Sequence, residues 1–90
     1  MRTEADRVIL AVGRRVAEAR QMRGLTQQQF AEALGVSLPY VQRIERGTQN
    51  LTIRSLVALS SLLGVTVPSL FDAPTDAAGK TGRPRKKTYG

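Results

Sequence analysis

The groups in this chain best suited to chemistry are guanidiniums and carboxamides: Gln27, Gln42, Arg43, Arg46 and Arg54 fall in one stretch of a 90-residue sequence. A guanidinium offers paired, planar N–H donors to a carboxylate, a phosphate or the acceptor edge of a base, and a carboxamide sets a donor beside an acceptor. Such groups recognise other molecules rather than break or transfer bonds. The rest of the composition points the same way. With no His and no Cys, the usual zinc sets, disulfides and imidazole acid–base catalysis are excluded. The acids Glu4, Asp6, Glu18, Glu32, Glu45, Asp72 and Asp76 form no spaced pair that suggests a shared site, and glycine-rich phosphate loops are missing. The expectation is a chain that is not an enzyme, takes no cofactor and holds no metal.

Donors of this kind act only when rigid elements hold them, and the pattern around them is helical. From about Glu4 to Arg23, residues Leu10, Val12, Val16 and Ala19 fall near one face at helical spacing, and Gly24 stops the run. Thr26 caps a second helix, Gln29 is placed to complete a capping box, and Phe30, Ala31 and Leu34 face inward. Gly35 supplies the turn. Ser37 caps a third helix with Val41 and Ile44 as core positions; Pro39 sits in its first turn, where a missing N–H costs nothing. After Gly47 the polar loop Thr48-Gln49-Asn50 leads to Thr52 as a cap. Ile53, Leu56, Leu59, Leu62 and Leu63 then supply an apolar fourth helix ending at Gly64, and Pro68–Phe71 reads as a short fifth helix that closes the core. Residues 25–47, two capped helices with a glycine between them and a glycine after them, read as a helix-turn-helix, a unit built to lay its second helix in the major groove of DNA.

The charge agrees. Lys and Arg number 14 against 7 Asp and Glu, a formal net charge of +7. The apolar fraction of 41% suits one small helical core and not two. We expect a folded unit over residues 1–72 and a flexible basic tail over residues 73–90, which loses apolar periodicity and cannot bury enough surface to order itself. Gly82-Arg83-Pro84 in that tail, flanked by Lys80, Arg85, Lys86 and Lys87, resembles the core of an AT-hook, a minor-groove reader of A·T-rich DNA, with Thr81 where the hook usually has arginine. A non-specific electrostatic arm is the favoured alternative, and an expression remnant stays open. No signal peptide or membrane span is expected, which places the chain in the cytoplasm, on the nucleoid.

Residues 10–71 resemble the Cro/C1-type (Xre-family) helix-turn-helix regulators. The resemblance rests on the Gly24-Leu25-Thr26-Gln27 entry, the Ala31…Leu34-Gly35-Val36-Ser37 turn, the Ile44-Glu45-Arg46-Gly47 exit and the Leu63-Gly64-Val65 finish. It implies an all-α, compact five-helix, lambda-repressor-like DNA-binding domain. It also implies that Arg20 pairs with Glu45 to tie the reading helix to the scaffold, and that Gln27 donates to a DNA phosphate at a helix N-terminus; a solvated first-turn glutamine is the plain alternative.

Base reading is expected from Leu38, Pro39, Gln42 and Arg43, the outward positions of the third helix. Arg43 can pair with guanine O6 and N7 or meet a phosphate, Gln42 can read adenine or bond to a phosphate, and Leu38 can pack on a thymine methyl. Leu38 and Pro39 replace polar residues frequent in the family, which shifts weight to shape readout. Ser37 and Tyr40 are assigned to the DNA backbone, although Tyr40 could equally pack on the second helix. Arg46, Thr48, Gln49, Asn50 and Arg54 form the expected phosphate clamp. The function implied is a bacterial or phage transcriptional regulator, a repressor, binding a short inverted repeat of double-stranded DNA as a homodimer, with a regulatory protein partner as a route of control. The rival is an antitoxin-like or adaptor interaction module with weak DNA binding.

Overall fold

Every α-helix in the computed structural model of residues 2–74 begins on a hydroxyl. Thr3 caps α1 (Glu4–Met22), Thr26 caps α2 (Gln27–Leu34), Ser37 caps α3 (Leu38–Arg46) and Thr52 caps α4 (Ile53–Leu63), each side chain accepting a backbone N–H from the first turn. The caps of α1 and α2 are full boxes, closed by Asp6 and Gln29. The tail residues Lys80, Arg83, Arg85, Lys86 and Lys87 lie outside the described residues.

The expected fifth α-helix is a single 3-10 turn, Pro68–Phe71. Pro68 brings no N–H, Thr66 Oγ1 accepts the Ser69 N–H at 3.2 Å, and Leu70 N bonds to Val67 O at 2.9 Å in the short i to i−3 pattern. The turn still closes the core. Leu70 is fully buried and Phe71 is half exposed, while Arg15 of α1 reaches across to donate from Nε to Ser69 O at 3.2 Å.

The core is built from Val12, Val16 and Ala19 of α1, Phe30 and Ala31 of α2, Val41 and Ile44 of α3, Leu56, Leu59 and Leu63 of α4, and Leu70. Ile53 departs from the expected core set: it is the first residue of α4 and is 73% exposed. Leu10 is half-buried, on the side of α1 that faces α3.

That α1–α3 contact is backbone on backbone. A Cβ on Gly13 would lie 2.2 Å from Ile44 O, so α1 touches the last carbonyls of α3 with nothing between them. Gly47, at φ 79°, turns the chain out of α3 directly under Leu10, and a Cβ there would lie 2.6 Å from Leu10 Cα.

Candidate nucleic-acid interface

Two elements, α1 and α2, fix the position of α3 and so the direction of its outer face. Glu45 on α3 is the hub. Arg20 of α1 donates to it twice, Nε to Oε2 at 2.6 Å and Nη2 to Oε1 at 3.1 Å, and sends Nη1 to Leu25 O at 2.7 Å. Gln27, the first residue of α2, adds Nε2 to Glu45 Oε1 at 2.9 Å. The Arg20 and Glu45 side chains are only 10% and 7% exposed, so the pair is screened from water and geometrically tight. Gln27, expected at a phosphate, thus has an internal partner in this structure and joins α2 to α3.

On the side of α3 turned away from Val41 and Ile44, which are fully buried, Pro39 and Arg43 are exposed and Leu38 and Gln42 half-exposed. The four expected base-reading side chains therefore share the outward side of one short helix. Ser37 Oγ accepts from Tyr40 N at 3.2 Å, which leaves its O–H as the group it can offer outward. Tyr40 is half-buried and lines a small cavity with Leu34, Val36 and Ile44, and its ring lies beneath the Arg43 guanidinium at 5.8 Å from carbon to centroid. Arg43 also donates from Nε to Gln49 Oε1 at 3.2 Å.

The loop residues expected as a phosphate clamp divide into two groups. Arg46, Asn50 and Arg54 are exposed and available. Thr48 and Gln49 are engaged within the protein: Thr48 offers both its N–H and its hydroxyl to Arg43 O, at 3.0 and 3.2 Å, and Gln49 Nε2 donates to Asn50 O at 3.4 Å. Across residues 37–54 Glu45 is the sole acid and it is already paired, so the exposed Arg43, Arg46 and Arg54 make this stretch a positive surface. Such a face draws in a polyanion and can read hydrogen-bond acceptors at short range.

Gly13 is the functional position that the sequence pattern did not single out. A glycine inside a helix gives up roughly 1 kcal/mol against alanine, and that cost was the available signal of a close approach. Among the described residues no group of His, Cys, Asp or Glu is arranged to hold a metal ion, and no helix is long and apolar enough to cross a membrane.

The helix-turn-helix family HTH_3 matches residues 16–70, from the middle of α1 to the 3-10 turn. An uncharacterised HTH-type transcriptional regulator of Sinorhizobium medicae (strain WSM419) is 36% identical over 69 residues, covering 76% of this chain and 50% of that protein. The immunity repressor of Bacillus phage phi105 is 35% identical over 66 residues, covering 73% of this chain and 46% of the repressor. Among solved structures, the restriction-modification controller protein C.AhdI from Aeromonas hydrophila superposes with a TM-score of 0.70 at 28% identity, over 77% of this chain and all of the other. The chain spans about half the length of the first curated relatives it matches.

Proposed function

Since this chain belongs to the HTH_3 helix-turn-helix family, we propose that it is a DNA-binding transcriptional regulator, a repressor, which lays α3 in the major groove of a short inverted repeat. One observation carries the reading. The outward side of α3 presents Gln42 and Arg43 to solvent, and the helix behind them is locked by a buried Arg20–Glu45–Gln27 network and flanked by exposed Arg46 and Arg54. A side chain discriminates bases only if its helix is held more rigidly than the differences it must detect, and this one is held from two sides. Arg43 reads guanine, Gln42 supports it, Leu38 and Pro39 supply apolar contact, and Arg46, Asn50 and Arg54 meet phosphates.

The chain acts as a homodimer, with paired α3 helices about 34 Å apart on one side of the duplex. Support for self-association comes from the large apolar side chains left exposed at Val8, Ile53, Val57 and Phe71. Work on DNA places the protein in the cytoplasm, on the nucleoid, where a regulatory protein that covers α3 would switch it off.

Selection of bound sequences from a random duplex pool tests the proposal. The protein is expected to recover an inverted repeat, and Arg43→Ala to relax one base pair in each half-site at a cost of about 1–3 kcal/mol. A pool that yields no motif would shift the reading to a protein-interaction module.

A further inference from the structure

We infer that Gln49 is a positioning residue for specificity: it aims the Arg43 guanidinium end-on at the base it reads and does not itself contact a phosphate. The inference rests on α3 being the sequence reader. It starts from which atoms are already engaged. A guanidinium can meet guanine side-on, through Nε and one terminal nitrogen, or end-on, through Nη1 and Nη2. Gln49 Oε1 accepts the Arg43 Nε–H at 3.2 Å, which removes the side-on approach and leaves the terminal pair facing outward. Tyr40 bounds the same guanidinium from another side, 5.8 Å from ring centroid to carbon, within the range of cation–π attraction.

Gln49 is itself held for this task. Gly47 reverses the chain at the end of α3, and Thr48 then binds the carbonyl of Arg43 through both its N–H and its hydroxyl. The loop is therefore pinned to the very residue whose side chain Gln49 accepts. Gln49 Nε2 is turned onto Asn50 O at 3.4 Å, and its side chain lies half-buried beside Ile9 and Leu51. One of the two amide N–H groups is thus engaged by the Asn50 carbonyl, while the Gln49 carbonyl is directed at Arg43. An arginine on an exposed helix otherwise samples many rotamers, and ordering it before DNA arrives removes part of the entropic cost of the contact.

The test is pool selection and competition binding with the full chain, using Gln49→Met, which keeps the length and loses the acceptor, and Gln49→Glu, which keeps an acceptor. Each is made alone and with Arg43→Ala. Gln49→Met should lower the preference at the Arg43 base pair by about threefold to tenfold, the size expected for ordering one long side chain. It should leave the other positions unchanged and add nothing once Arg43 is alanine. Gln49→Glu should keep the preference while weakening binding to every sequence, because it adds a unit of negative charge at the interface. The inference is overturned if Gln49→Met weakens all sequences alike, or does so equally without Arg43, which is how a phosphate contact behaves. It is also overturned if Gln49→Met has no effect while Arg43→Ala relaxes its base pair, and in that case the sequence-reading role of α3 survives. A wild-type protein that selects no motif overturns both readings together.

Discussion

Glu45 shows how one buried carboxylate can fix the placement of a whole helix. Its carboxylate accepts from Arg20 twice and from Gln27 once, so its removal would leave a guanidinium 10% exposed with only the Leu25 carbonyl for a partner. Breaking one side of a buried pair costs about 3–5 kcal/mol, a large part of the roughly 5–15 kcal/mol that holds a domain folded. Glu45→Ala should therefore lower the urea midpoint sharply, and DNA binding should fall with the folded fraction. Gln27→Ala, read in the same unfolding experiment, should cost about 1.5–3 kcal/mol, the worth of one hydrogen bond to a charged acceptor. A Gln27→Ala protein that melts like wild type and loses only DNA affinity would return Gln27 to the phosphate role.

Among the elements, the α1–α3 contact decides where the reading helix lies. Alanine at Gly13 would normally strengthen a helix by about 1 kcal/mol. Here its Cβ would meet the Ile44 carbonyl at 2.2 Å and the Glu45 carbonyl at 3.2 Å, and backbone atoms cannot swing aside as a side-chain tip can. Overpacking of this kind costs about 1–3 kcal/mol, so Gly13→Ala should destabilise on balance. It should also weaken specific DNA binding in the fraction that remains folded, a split visible by comparing thermal melting with competition binding. The start of α1 carries a pH signature of its own. The Thr3 backbone N–H, and after it the Thr3 side chain, hold the Asp6 carboxyl below the ordinary aspartate value of 3.8. A carboxyl depressed in the folded state contributes stability above its unfolded value and loses it as pH falls through the folded one. The amide resonances of Thr3 and Asp6 should therefore shift as the first turn loosens once pH falls below the ordinary aspartate value of 3.8, and Asp6→Asn should abolish that titration.

For the molecule as a whole, net charge is divided almost evenly between residues 1–72 and residues 73–90. Residues 1–72 hold nine Arg and six acids, and residues 73–90 hold five Lys and Arg against one Asp. Each phosphate neutralised adds about 0.9 to the slope of log affinity against log salt. Removal of residues 73–90 is accordingly expected to lower the slope by about 2–4 and to weaken binding at low salt, with the selected motif unchanged. A motif that shifts away from A·T-rich flanks on truncation would instead mark Gly82-Arg83-Pro84 as a minor-groove reader.

Helix starts and stops were legible in the sequence because the groups that make them lie within a few residues of one another. Thr26 with Gln29, Ser37 before Pro39, and the glycines at 35, 47 and 64 act through backbone donors and acceptors that any copy of that local sequence would place in the same way. The outward set of α3 followed from the same helical period, since Val41 and Ile44 must face the core if the helix is to bind at all. The partnerships behind that face were decided by tertiary structure. Gln27 and Glu45 stand 18 positions apart, and Gly13 is 31 positions before the carbonyl it must clear. Gln49 is close to Arg43 in sequence, yet it reaches that guanidinium only because Gly47 turns the loop back and Thr48 holds it there. Local sequence determines which residues an element offers; packing, which balances the burial of every element at once, determines which of those residues are consumed inside the protein and which remain for DNA.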